Sequence, residues 1–238
     1  MLRHKWETIR AAIDDQIATG ALQPGDKLPT EPELSERFGA GRHSVRRAIA
    51  ELARDGKLSV EQGRGTYVSS APRITYSIGR RTRLRQNLTS QNIDVTREFL
   101  GADRISAPLH VAKPLQIEPG APVIRSRNTS YADGLPISSG MLFHCAQTFP
   151  DFVERRTGLG SVTETYKSYG IKDYMRRETS IESRQASVEE AKVLAQHALM
   201  PVIVIRAVDA HLDGTPIACS EVIWSAARVR FTVSPEDF

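Results

Sequence analysis

The chain has 238 residues, of which 40% are hydrophobic and 25% are charged, an ordinary composition for one large or two smaller folded domains. Its formal net charge is +4 and its pI about 9.2, so binding to a polyanion would have to come from local basic patches. No apolar run approaches the roughly 20 residues of a membrane span, the N-terminus does not resemble a signal peptide, and two cysteines are too few for a disulfide framework. We therefore expect a cytoplasmic protein with reduced thiols.

The first third of the chain predicts three helices. An apolar stripe predicts the first over about residues 4 to 19, ended by Gly20. The second begins at Thr30, because Thr30 and Glu33 have the spacing of a capping box. It ends at Phe38, where two nearby glycines permit a tight turn before a third helix opens at Arg42. Two short helices with this connection are typical of a helix-turn-helix.

The third helix has one buried face and one basic face. Val45, Ala48, Ile49 and Leu52 recur at the intervals of a buried stripe, which turns the arginines outward. Four arginines and two acidic residues give this short helix a net charge of +2. Such a face is either solvated surface or a site for a polyanion.

A hairpin follows directly. Residues 58–61 and 66–68 read as two strands joined by a Gly63-Arg64-Gly65 turn, so an arginine lies at the tip. A helix-turn-helix followed by such a wing predicts a DNA reader, with the helix in the major groove and the wing at the backbone or minor groove.

This head resembles the GntR family of bacterial transcriptional regulators over about 65 residues. Matching positions include Trp6, Pro24-Gly25, Lys27-Leu28-Pro29, Glu31, Phe38-Gly39, Arg42, Val45-Arg46 and Gly63 to Val68. The resemblance implies DNA contacts by Thr30, Arg42, His43, Ser44, Arg46, Arg47, Gly63 and Arg64. Two departures are plain: Gly41 replaces a usual serine or threonine, and Pro32 replaces a common arginine.

The remaining chain changes character after a short linker at residues 69–75. From about residue 95 it predicts strands, including two hairpins turned at Asp133-Gly134 and Asp213-Gly214. Helical segments are predicted between strands, at residues 109–115, 161–168 and 187–197. The fold class is therefore α+β, with a winged helix-turn-helix at residues 1–68 and an antiparallel-sheet domain at 76–238.

The second part resembles the ligand-sensing (UTRA) domain of the HutC branch of GntR regulators, which has the fold of chorismate lyase. Within that branch, segments such as Arg81-Thr82-Arg83 and Asp173 to Arg177 are similar to PhnF-like regulators of phosphonate utilisation. The resemblance implies a small anionic effector, bound by Arg83, Arg85, Arg125, Arg127, Ser161, Tyr166 and Arg228. Gly140 replaces the glutamate of many sugar-phosphate-sensing relatives, which favours a phosphonate or another non-sugar anion.

The motifs of catalysis are missing from the sequence. The six histidines show no metal-binding spacing, and there is no Walker A loop or GxSxG elbow, so we predict no catalytic residue, metal or cofactor. The resemblance implies a homodimeric, effector-responsive repressor of phosphonate uptake or catabolism genes that binds a pseudo-palindromic operator in double-stranded DNA. Alternatives are a sensor of a phosphorylated amino sugar or other anion, and an enzyme of chorismate-lyase-like fold.

Overall fold

A computed structural model describes residues 5–61, 63–69, 74–81, 84–196 and 200–233, without the side chains of residues 85 and 86. The chain divides into two compact units. The first comprises Met1–Ile74, Arg184–Val202 and Ser225–Val229, and the second comprises Thr75–Ser183, Ile203–Trp224 and Arg230–Phe238.

The first unit begins with three helices. They are α1 (Lys5–Ala18), α2 (Glu31–Phe38) and α3 (Arg42–Arg54). Their buried faces meet in one core of Ile9, Ile13, Leu34, Val45, Ala48, Ile49 and Leu52. The apolar stripes predicted for the first and third helices therefore form the core, because burial of these side chains is the main stabilisation available to such short helices.

The boundaries of α2 and α3 follow local signals. The backbone N–H of Thr30 donates to Glu33 Oε2 at 2.6 Å, so the predicted start of α2 is confirmed. Gly39 ends α2 with φ 54°, a left-handed conformation that glycine adopts without strain. Gly41 is the N-cap of α3 and supplies no side-chain hydrogen bond to it.

The predicted wing is an antiparallel hairpin. Strands β1 (Leu58–Glu61) and β2 (Gly65–Val68) pair from Leu58 opposite Val68 to Glu61 opposite Gly65. Gly63 in the turn has φ 79°, and Leu58 and Val68 bury their side chains in the core beneath the helices. The helix-turn-helix and wing are thus one continuous packing unit.

The next element of the chain is a short strand whose backbone is hydrogen-bonded by side-chain amides. Strand β3 spans Ile74–Ser77 and is followed by α4 (Leu84–Thr89). Asn87 accepts from the backbone N–H of Ser77 at 2.8 Å and donates to its carbonyl at 3.0 Å. Gln91 makes the same exchange with Thr75, at 3.2 and 2.6 Å. The two amides therefore replace a neighbouring strand along this edge of β3.

The second half of the chain is built on a six-stranded sheet in the order β4-β5-β6-β9-β8-β7. The pairs β4–β5, β5–β6 and β6–β9 are antiparallel. The remaining elements, in chain order, are β4 (Val95–Ser106), α5 (Leu109–Leu115), β5 (Pro122–Ala132), β6 (Leu135–Cys145), α6 (Phe152–Leu159), α7 (Val162–Ser168), β7 (Met175–Gln185), α8 (Val188–Val193), β8 (Pro201–Ala210), β9 (Pro216–Ser225) and β10 (Val229–Thr232). Strand β10 pairs with β3.

Helices cover both faces of this sheet. On one face, Val111 and Leu115 of α5 pack against Phe143 and Cys219. On the other, Phe152 of α6 and Tyr166 of α7 pack with Ile124 of β5. This α+β architecture confirms the predicted fold class, since hydrophobic sheet faces are buried by covering helices.

Three helices differ from the sequence prediction, and one of them, α4, was not predicted. Helix α8 begins after its predicted cap Ser187 but ends at Val193, because Leu194 and Ala195 leave the helical path and Ala195 has φ 45°. The predicted end at residue 197 lies outside the described residues. Helix α6 was not predicted either.

Candidate nucleic-acid interface and ligand cavity

The outer face of α3 presents exposed cations in its first turns. Arg42 and His43 are exposed, and Ser44 is half-buried. Within the described parts of the chain, Arg42 has no ion-pair partner, unlike Arg46 and Arg54 of the same helix. A guanidinium at this end of a recognition helix can bind guanine or phosphate through paired N–H donors.

The other two predicted arginines of α3 are held by neighbouring side chains. Arg46 Nε donates to Glu31 Oε2 of α2 at 2.7 Å, with 52% of the Arg46 side chain exposed. Arg47 lies over the ring of Trp6 in α1, 4.2 Å from its centroid, which is a cation–π contact. Arg46 can exchange its partner at little cost, since a surface ion pair contributes about 0–1 kcal/mol, whereas Arg47 also packs α1 on α3.

The remaining DNA-contact predictions fall on two other elements. The hydroxyl of Thr30 donates to Glu33 at 2.8 Å and belongs to the cap of α2. Gly63 and Arg64 form the wing tip, where the Arg64 side chain is 62% exposed and lies 3.1 Å from Glu61. The structure thus places Arg42, His43, Ser44 and Arg46 in the first turns of one helix, and the wing residues on a separate element.

Release of Arg46 gives a first testable prediction. Glu31→Gln removes the carboxylate that holds Arg46 and one negative charge beside the basic face. We expect affinity for DNA to rise severalfold at low salt, with a smaller gain at high salt because exposed charges are screened. The matched control is Glu51→Gln, which frees Arg54 at the far end of α3. Equal affinities of the two variants would contradict a role for Arg46 at DNA.

The second unit contains a cavity of about 270 Å³ on the sheet face that α6 and α7 cover. Strands β5 and β6 contribute Asn128, Ser130 and Ser138, and β4 contributes Arg97, which pairs in register with Ser130. Other lining residues include Tyr76, Ile78, Leu84, Gly140, Arg156, Ser161, Thr163, Tyr174, Arg176, Asp209 and Trp224, and the apolar Val95, Met141, Leu142, Val162, Ile205 and Val222. The cavity therefore combines charged and hydroxyl side chains with an aliphatic and aromatic wall.

Two arginines of the cavity lack a carboxylate among the described residues. Arg97 lines the cavity and keeps some exposed surface, but protein atoms surround it closely, and this desolvation lowers the pKa of its guanidinium. Arg156 is only 6% exposed, and its pKa is lowered by burial and by the positive charge of Arg97. The guanidinium of Arg156 lies over the Phe99 ring, with Cζ 5.9 Å from the ring centroid. Like charges held close together in a cavity favour an anionic occupant.

A third arginine in the cavity is neutralised. Arg176 Nε donates to Asp209 Oδ1 at 2.7 Å, with both side chains less than 20% exposed. Burial alone would lower the pKa of Arg176, but the attraction and hydrogen bond of Asp209 raise it. This pair is thus a fixed part of the wall and adds no net charge.

The predicted ligand residues are dispersed. Arg125 and Arg127 share one face of β5, but it is opposite to the cavity face, and Arg125 forms a bidentate ion pair with Asp103 at 2.5 and 3.1 Å. Ser161 caps α7 and lines the cavity. Tyr166 is fully buried and bonded to His144 Nε2 at 2.8 Å, where burial lowers the pKa of His144 to about 3.

Three further predicted residues provide no described cavity contact. Arg228 belongs to the first unit, where it donates to the carbonyls of Leu194 and Ala195 at the end of α8. Arg83 lies outside the described residues, and Arg85 lies in α4 with its side chain outside them. The register of β5 explains why Arg125 and Arg127 lie away from the cavity, because alternate positions of a strand face opposite sides of a sheet.

Arg97, Arg156 and Asn128 were missed by the sequence prediction. Period-two alternation along β4 was the one available signal for Arg97, and it does not tell which face carries a cavity. Arg156 lies on the unpredicted helix α6. Groups of three or more potential metal ligands do not occur in the described part of the chain, and none of its helices has both the length and the hydropathy to span a bilayer.

Comparison with known proteins agrees with both halves of this structure. Residues 5–68 match "Bacterial regulatory proteins, gntR family", and residues 90–230 match "UTRA domain". The chain is 34% identical to the uncharacterized HTH-type transcriptional regulator RB1450 of Rhizobium meliloti over 96% of this chain and 93% of that protein. It is 27% identical to the HTH-type transcriptional repressor PhnF of Mycolicibacterium smegmatis, over 96% and 91%.

A solved structure supports the same assignment. The crystal structure of PhnF from Mycobacterium smegmatis matches with a TM-score of 0.64 and 25% identity, over 95% of this chain and 98% of that chain. These relatives are transcriptional regulators. The chain therefore belongs to the GntR family of bacterial regulatory proteins, in the HutC/PhnF-like group that joins the DNA-binding domain to a UTRA domain.

Proposed function

We propose that this protein is a cytoplasmic repressor that binds a pseudo-palindromic operator as a homodimer and responds to a small anionic effector. The observation that carries the proposal is the cavity lined by both Arg97 and Arg156, neither of which has a carboxylate partner among the described residues. The exposed face of α3, with Arg42 at its start, supplies the complementary surface for DNA. Two such heads in a dimer would read two half-sites.

A phosphonate or another non-sugar anion is the effector class that the cavity supports best. Gly140 lines the cavity and carries no carboxylate for a sugar hydroxyl. A Cβ at this position would lie 2.4 Å from the Glu221 carbonyl oxygen, so even a small side chain does not fit. PhnF of Mycolicibacterium smegmatis is a transcriptional repressor by name, which supports repression as the mode of regulation.

Coupling between effector binding and DNA binding would begin at the cavity wall. Tyr76 and Ile78 line the cavity, and they follow directly on the predicted linker at residues 69–75. An occupant that repositions Tyr76 would change the position of the chain leaving the DNA-binding domain. A coupling of about 1–3 kcal/mol, the usual range between two sites, is enough for a useful switch.

The test is binding of the full chain to DNA from upstream of its own gene, at fixed salt, against DNA of scrambled sequence. The additions are phosphonates, phosphate esters and amino-sugar phosphates. We expect specific binding that one phosphonate releases, and loss of that binding when one half-site is scrambled. Absence of specific binding would show that the basic face of α3 is ordinary surface, and release by an amino-sugar phosphate alone would overturn the effector class.

A further inference from the structure

We propose that the cavity holds a molecule with two recognised parts, a monosubstituted phosphoryl or phosphonyl dianion between Arg97 and Arg156, and a hydrogen-bond donor that meets Asn128 Oδ1. The inference rests on the proposed function, because it specifies the chemistry of the effector at the same site. It assigns the anion to Arg97 of β4 and Arg156 of α6, and not to Arg125 and Arg127 of β5.

The charge of the cavity selects a dianion. Among the described residues, four charged side chains line it, three arginines and one aspartate, which together carry a formal charge of +2. Because Asp209 is bonded to Arg176, the uncompensated charges are those of Arg97 and Arg156. A sulfonate or a single carboxylate would leave one of these partly desolvated cations without a counter-charge, which is unfavourable in a low-dielectric site.

The geometry also suits a phosphoryl group. Arg97 comes from an edge strand and Arg156 from a helix that covers the sheet, so the two guanidinium groups reach the cavity from different elements. Three acceptor oxygens can bond to both groups at once. A phosphoryl monoester carries about −1.5 to −2 charge at pH 7, and its binding would relieve the repulsion between the two arginines.

Asn128 adds a second, independent requirement. Its side chain is only 6% exposed, and no described residue donates a hydrogen bond to its Oδ1. It lines the cavity from β5, opposite Gly140 of β6. A buried acceptor without a donor is destabilising, so an ammonium or hydroxyl on the occupant would be favoured here. At about 270 Å³ the space admits only a short substituent.

Matched probes test both requirements by calorimetric titration of the full chain. The reference probe is 2-aminoethylphosphonate. Taurine has the same skeleton with a monoanionic sulfonate. Ethylphosphonate lacks the amine, and all probes are compared at a pH above its second ionisation, where it is also a dianion. O-phosphoethanolamine tests a phosphate ester against a phosphonate. We expect 2-aminoethylphosphonate or O-phosphoethanolamine to bind about tenfold or more tightly than taurine, and several times more tightly than ethylphosphonate.

Variants assign the contacts. Arg97→Gln should weaken binding of the dianions about tenfold or more, and Arg97→Lys should restore part of it. The control is Arg127→Gln, which removes a half-exposed arginine from the opposite sheet face. Asn128→Leu should weaken 2-aminoethylphosphonate but not ethylphosphonate. Should that variant not fold, the comparison of the two ligands still tests the donor.

The outcomes separate this inference from the proposed function. Three results would overturn it. They are equal affinity for taurine and 2-aminoethylphosphonate, an Arg97→Gln protein that binds the dianions as tightly as the parent protein, and no binding of any dianion. Release of operator DNA by a compound of another charge class would support the proposed regulator but would overturn this inference. Dianion binding with no effect on DNA would support this inference and contradict the effector-responsive repressor.

Discussion

Gly140→Ala is expected to lower the free energy of unfolding by about 1–3 kcal/mol, the usual cost of overpacking a well-packed site. The added Cβ would lie 2.4 Å from the Glu221 carbonyl oxygen and 2.7 Å from Val222 Cα. Both are backbone atoms of β9, which pairs with β6 in the middle of the sheet, so neither can move without disturbing that pairing. Equilibrium unfolding in urea measures the loss.

Gly158→Ala is the matched control for this prediction. Gly158 lies within α6, and a Cβ there would meet nothing within 4 Å. Alanine is favoured over glycine inside a helix by roughly 0.5–1 kcal/mol, so this variant should be as stable as the parent or more so. Equal unfolding midpoints for the two variants would contradict the close approach of β6 and β9.

Arg42→Ala should weaken specific operator binding about tenfold to a hundredfold while folding stays intact. Loss of a bidentate base contact costs about 1–3 kcal/mol of discrimination. Arg42 is exposed and starts α3, and no ion pair or hydrogen bond to another described residue depends on it. Binding to operator and scrambled DNA at the same salt concentration, with circular dichroism as the folding check, measures the effect.

The control is Arg54→Ala, the same change at the other end of the same helix. Arg54 is the last residue of α3, roughly 18 Å along the axis from Arg42 at 1.5 Å per residue. Its ion pair with Glu51 is exposed, so its loss should cost little stability. If the Arg42→Ala protein binds its operator as tightly as the Arg54→Ala protein, the proposed base contact of Arg42 is wrong.

Local signals predicted most of the elements. The capping box at Thr30 and the cap at Ser187 mark helix starts that the structure confirms, and the Asp133-Gly134 turn lies between β5 and β6 as expected. These features depend on neighbours within a few residues. Helices α4 and α6 and strand β3 were missed. For β3 the reason is that its hydrogen bonds go to side-chain amides and to β10, far along the chain.

The cavity was harder to predict than the DNA-binding face. The basic face of α3 follows from helical periodicity alone, since a buried stripe determines which residues are outward. The cavity depends on strand register, which put Arg125 and Arg127 on the face opposite to Ser130. Arg97 and Arg156 become neighbours only through tertiary packing, which no local pattern reports.

The amide bonds of β3 have a mechanical consequence. Asn87 and Gln91 bond to one edge of the strand and β10 pairs with the other, so displacement of β3 by itself would break hydrogen bonds on both sides at once. Tyr76 also contacts the rings of Trp224 and Phe231. Strand, helix and aromatic cluster should therefore shift as one rigid body. A ligand that pushes on Tyr76 would therefore displace β3, α4 and the aromatic cluster together, and a local bending of the strand is not expected.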